Sequence, residues 1–194
     1  MPTGGHRLAM YNFGLHVAPY DAPEVQGFRS REPANFAAAE KAAGFIARSG
    51  YPGEPGPDSW GQQVFPRFIE GSGFDSAPSS LSLWKDVESL MAFTYAGVHA
   101  EALKNARNWN SKGYWPPLVL WWVTEDCRPD WQQGANKLEQ LHDRGPEPAA
   151  FTFKQAFGPG GHPYKADRVR VKALMDENAP GQAALLAEVL AMPV

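Results

Sequence analysis

The sequence predicts an α+β fold, a ferredoxin-like antiparallel sheet with helices on one face that pairs with a second copy as a dimeric α/β barrel, and three observations lead there. Short alternating or apolar runs and segments of helical spacing follow one another as strand, helix, strand, strand, helices, strand. Clusters of Gly and Pro punctuate them, which keeps the elements short and separate. One strand, Leu118 to Val123 (LVLWWV), is apolar on both faces. Helices cover one face of such a strand, and a partner's sheet is the simplest cover for the other.

Leu8 to Leu15 (LAMYNFGL) reads as the first strand, with Leu8, Met10 and Asn12 on one face and Ala9, Tyr11 and Phe13 on the other. Glu32 and Pro33 open an Ala-rich helix through Arg48, with Phe36, Ala39, Ala43 and Ile46 at helical spacing and Gly50 as its stop. Tyr51 to Ser59 (YPGEPGPDS) is a loop, and Gly61 to Glu70 is read as an irregular second strand that Pro66 makes an edge or bulged one. Ser79 to Trp84 alternates as a third strand, and Asp86 is placed to cap a helix from Val87 to about Gly97. His99, Ala102, Leu103 and Ala106 mark one face of a further helix through Asn108. After the doubly apolar strand, Asp130 to Asp143 forms an amphipathic helix ended by Gly145 and Pro146, and Phe151 to Phe157 alternates as a short strand. Residues 1 to 157 then make the barrel domain. Residues 158 to 194 make an extension: a Gly-rich loop, then a helix, Gln182 to Ala191, that docks on the body or on a partner.

Of the 194 residues, 43% are hydrophobic and 20% charged, which predicts a real core, and a net charge of −3 provides no field for nucleic acid. The single cysteine, Cys127, cannot close an intramolecular disulfide, and neither a secretory leader nor an apolar run of about 18 residues is evident, so a cytoplasmic protein without membrane contact is expected. The five His residues show no paired spacing, so no metal site is expected. FGPGGHPYK lacks Walker or dinucleotide spacing, and no nucleophile elbow occurs.

The segments SLSLWKDVESLMAFTYAGVHAEALKNARNW, YWPPLVLWWV and PEPAAFTFKQAF, in that order, resemble the family catalogued as domain of unknown function 3291, within the dimeric α/β-barrel superfamily. Trp84, His99, Trp109, Trp121 and Trp122 occupy the places of that family's Trp and His positions. The resemblance implies kinship with cofactor-independent monooxygenases, polyketide cyclases, muconolactone-type isomerases, stress-responsive barrel proteins and haem-dependent aldoxime dehydratases. In some of these relatives a His-Pro-x-His sequence supplies a base. Here the four residues are Ala96, Gly97, Val98 and His99, so only the second His is kept.

His99 is the first catalytic candidate, because an imidazole titrating near neutral pH can move a substrate proton or ligate haem iron. Tyr95, one turn earlier, and Asn12, a polar break in an apolar strand, are the other two. Trp84, Trp121, Tyr11 and Trp109 are expected as walls for a hydrophobic or aromatic metabolite. The expected function is acid–base chemistry on such a metabolite without a cofactor, of the monooxygenase, cyclase, isomerase or dehydratase type. A haem enzyme with His99 as ligand, or a non-catalytic ligand-binding protein of the stress-response kind, is the alternative.

Overall fold

The computed structural model describes residues 5–193; the polar start of the chain and its last residue lie outside them. The fold is α+β and follows the ferredoxin-like order. Strands β1 (His6–Phe13), β2 (Phe45–Arg48), β3 (Ser79–Trp84) and β4 (Leu118–Thr124) form one antiparallel sheet in the order β2-β3-β1-β4. The sheet is open, with β2 and β4 at its edges. Between strands lie α1 (Gln26–Glu40), then α2 (Val87–Thr94) and α3 (Gly97–Trp109); α4 (Trp131–Arg144) follows β4. A short hairpin, β5 (Ala156–Phe157) with β6 (Pro163–Tyr164), leads into α5 (Arg168–Leu190).

Alternation along the strands sends side chains to two cores. Leu8 and Met10 of β1, Trp84 of β3 and Leu120 of β4 meet the alanines of α1, Leu90 and Phe93 of α2, Val98 of α3 and Val189 of α5. Ala9, Tyr11, Leu81, Leu83, Val119 and Trp121 point the other way. The cover of that second face departs from expectation. It comes from the chain itself: Trp131, Leu138 and Leu141 of α4, with Trp60 and Phe68 from the long connection between β2 and β3. Gly134 lets α4 approach β1 closely, since a Cβ there would lie 2.7 Å from Cδ2 of Tyr11.

Several boundaries also differ. The first helix starts earlier, at Gln26, and tolerates Pro33 in its interior because Arg31 and Ala34 are buried against the body. It ends at Glu40 rather than Arg48. Gly44, at φ 79°, turns the chain, and Phe45–Arg48 pairs with β3 as the true second strand. Gly61 to Glu70 is not a strand but loop with a 3₁₀ turn at Arg67–Ile69, entered from Pro66, that buries Phe68. Phe151 to Phe157 makes two isolated bridges, Phe151 to Leu120 and Thr152 to Gln155, and the two residues of β5, rather than one strand. Asp86 caps α2 as expected, accepting from the backbone N–H of Ser89, and Asp130, expected inside the fourth helix, instead caps α4, accepting from that of Gln133.

The C-terminal helix is longer than its apolar stretch, beginning at Arg168, and packs on α1, α2 and α3. Its buried line runs through Val171, Asn178, Gln182 and Val189, so two of its positions are polar. Each side-chain oxygen meets a backbone donor, while Asn178 Nδ2 has no partner among the described residues. Asn178 Oδ1 accepts from Ala43 N at 2.8 Å, and Gln182 Oε1 accepts from Val98 N at 3.3 Å, at the uncapped start of α3. No helix among the described residues is long and apolar enough to cross a membrane.

Candidate functional site

The expected site residues fall into several places. His99 is half-buried, and its Nδ1 donates to the carbonyl of Thr94 at 3.0 Å, which fixes the tautomer and closes the last turn of α2. Burial holds the imidazole below its ordinary pKa, and the Thr94 bond only partly offsets this. Phe93 lies against His99 at 4.8 Å and stacks on Trp84 at 5.2 Å, so Trp84 and His99 belong to one aromatic ladder. Trp84 is itself sealed, with Nε1 donating to Ser82 Oγ.

Tyr95 is 49% exposed and lies edge-on to Phe153. Asn12 is used within the sheet, its Oδ1 accepting from the N and Oγ of Ser80, its register partner on β3. Tyr11 and Trp121 lie on the opposite sheet face from His99, sealed under α4 and the long connection. Neither the Tyr11 hydroxyl nor Trp121 Nε1 has a hydrogen-bond partner among the described residues. Trp109 lines a shallow cavity of about 230 Å³ beside the start of α1. The structure thus joins Trp84 to His99 and keeps both apart from Tyr11 and Trp121.

A larger cavity, about 350 Å³, opens at the β2 edge of the sheet. Glu32, Pro33, Phe36, Ala37 and Glu40 form its α1 wall, Arg48 its β2 corner, and Tyr51, Glu54 and Pro55 its loop wall. None of the expected site residues lines it. Helical spacing of four puts Glu32, Phe36 and Glu40 on one face of α1. Tyr51 is fixed by donating its hydroxyl to Ser79 O at 2.8 Å. Its ring rests between Phe36 at 6.2 Å and Trp131 at 5.7 Å.

The chemistry of this cavity centres on Glu32. Its carboxylate is pushed above the usual range by burial, and Glu54 adds to the shift, while the Tyr20 hydroxyl, donating at 2.7 Å, works against it. Arg48 is committed elsewhere: Nε donates to Glu40 at 2.8 Å, and the guanidinium lies 4.1 Å from the Phe36 ring centre. A carboxyl of raised proton affinity, hydrogen-bonded to a phenol beside two aromatic walls, can both hold and exchange a proton. The sequence signal for this site was present but subtle. Glu32, Phe36 and Glu40 repeat every fourth residue opposite a loop stiffened by Pro52, Pro55 and Pro57.

Haem does not fit the residues present. His99 lines neither cavity, and its ring is held against Phe93 and tied to Thr94. No group of three or more His, Cys, Asp or Glu among the described residues is placed to hold a metal ion.

Fold and cavity together define an α+β protein of ferredoxin-like topology with a small carboxylate-bearing cleft at its sheet edge. The chain belongs to the family described as Domain of unknown function (DUF3291), whose profile matches residues 7–167. That match takes in the sheet from Arg7 onward and the cleft, and ends just before α5. No curated protein and no solved structure matches the chain.

Proposed function

We propose that the protein binds a small metabolite with an aromatic or apolar body in the cleft between α1, β2 and the loop at 51–58, and that Glu32 is the group that exchanges a proton with it. The observation that carries this reading is the placement of Glu32. It combines a raised proton affinity, a phenol partner at 2.7 Å and access to a cavity of about 350 Å³, a volume within the usual range for small-molecule sites. His99 offers a proton-transfer group too, but one already bonded to Thr94 and outside the cleft. The kinship with monooxygenases, cyclases, isomerases and dehydratases that the sequence resemblance implies is compatible with acid–base work of this kind, and does not choose among the reactions.

Protein-observed NMR with a set of benzene- and indole-based fragments tests the reading. Binding should move the resonances of Phe36 and Tyr51 and leave those of Phe93 and His99 in place. Fragment-induced shifts confined to the His99 ladder, or absent from the cleft, would overturn it.

A further inference from the structure

Resting on that reading of the cleft, we infer that its ligand is an amine: an ammonium-bearing molecule with a flat apolar body. The walls make the first half of the argument. Phe36 and Tyr51 present aromatic surface, and the Phe36 ring already carries a cation, the Arg48 guanidinium, at 4.1 Å from its centre. An aromatic face in this cavity therefore accepts positive charge.

The charges make the second half. Three carboxylates, Glu32, Glu40 and Glu54, line the cavity with one guanidinium, Arg48, and that guanidinium is bound to Glu40. Glu32 and Glu54 form no ion pair among the described residues. They lie close enough for Glu54 to raise the proton affinity of Glu32, and Arg48, shared with Glu40, offsets this only in part. Arg29 does not relieve them: it lies over the Tyr20 ring at 5.6 Å and donates to Ala22 O, outside the lining. A carboxylate or phosphate ligand would meet this field as a like charge. An ammonium would replace the missing counter-ion, its three N–H groups directed to Glu32 and Glu54 and its carbon body against Tyr51. Buried surface alone would not discriminate a neutral ligand of the same shape, so charge is the specificity element.

The test is a charge series on one ring, benzylamine, benzyl alcohol and benzoate, titrated into the full chain above neutral pH by calorimetry, with chemical shifts of Tyr51 locating the bound probe. Benzylamine should bind about tenfold or more tighter than benzyl alcohol, and benzoate should not bind. Glu54→Gln and Glu32→Gln should each weaken benzylamine about tenfold and so narrow its advantage over benzyl alcohol. Both variants are at half-buried or exposed positions and are expected to fold, which circular dichroism checks. Benzoate or benzyl alcohol binding at Tyr51 as tightly as benzylamine would overturn the amine inference while leaving the cleft as a ligand site. If none of the three probes moves Tyr51, the reading of the cleft itself fails.

Discussion

Arg31 and Glu101 form an ion pair at 3.0 Å between α1 and α3, with the arginine only 1% exposed. The remaining guanidinium donors reach the carbonyls of Gly27, Val189, Met192 and Pro193, so one side chain ties α1 and α3 to the end of α5. The Trp109 ring lies 5.2 Å from the same guanidinium. Arg31→Ala would leave a nearly buried carboxylate without its counter-ion, held only by Asn105 Nδ2 at 2.7 Å, and the carbonyls of Met192 and Pro193 without the guanidinium that closes α5. A loss of about 3 to 5 kcal/mol is expected in urea unfolding. Arg31→Lys should recover only part of it, because an ammonium cannot span this fan of acceptors.

The contact between Gly134 and Tyr11 gives a prediction of opposite sign to helix propensity. Alanine in mid-helix is ordinarily favoured over glycine by about 1 kcal/mol. Here the added methyl would meet Cδ2, Cγ and Cβ of a tyrosine that is 0% exposed, at 2.7, 2.9 and 3.2 Å. The ring root cannot swing away. Gly134→Ala should therefore destabilise, by about 1 to 3 kcal/mol, in a chemical denaturation curve.

His99 makes stability depend on acidity. Its folded pKa lies below the ordinary 6.5 through burial, so the native state binds fewer protons than the unfolded chain. The contribution is complete above that ordinary value and is lost as pH falls below it. The melting temperature should drop on acidification through this window, and the drop should be smaller in His99→Gln. Truncation to alanine should cost about 1 to 3 kcal/mol at neutral pH, by leaving the Thr94 carbonyl unpaired.

Glu32 carries the reverse dependence. Its pKa is raised chiefly by burial, so folding favours the protonated form; this contribution is present below the ordinary carboxyl value and is lost as pH rises through the folded one. Glu32→Gln should flatten that part of the pH–stability profile and gain melting temperature relative to wild type at neutral pH. A steeper profile in the variant would mean that the Tyr20 bond outweighs burial.

The fold was legible wherever local chemistry and burial agreed. Alternation in β1 and β3, the Asp86 cap and the apolar run of β4 each point to the observed element. It was illegible where tertiary partners override local preference. Pro33 hides the continuity of α1, because it takes the anchoring of Arg31 to hold that helix together. Ile46 has helical spacing from Ala43, but the positive φ of Gly44 breaks the turn between them. The cover of the sheet's second face is hidden in the sequence for a related reason. Trp60 and Phe68 sit among Gly and Pro, in a segment without period, and supply the cover that a partner's sheet was expected to give. The cleft is hidden in the sequence because Glu32 and Glu40 resemble ordinary solvated helix residues until the loop folds over them.

The two amides in the buried line of α5 have a further consequence. An apolar stripe would let the helix slide along its groove at modest cost, since one aliphatic contact substitutes for another. Asn178 and Gln182 instead each meet one particular backbone donor, Ala43 N and Val98 N. A slip of one turn, about 5.4 Å, would set Leu174 before Ala43 N and ask Asn178 to reach Val98 N with one methylene fewer than Gln182. The docking of α5 is therefore indexed like a key with two cuts, and its axial position is set by polar matching rather than by greasiness.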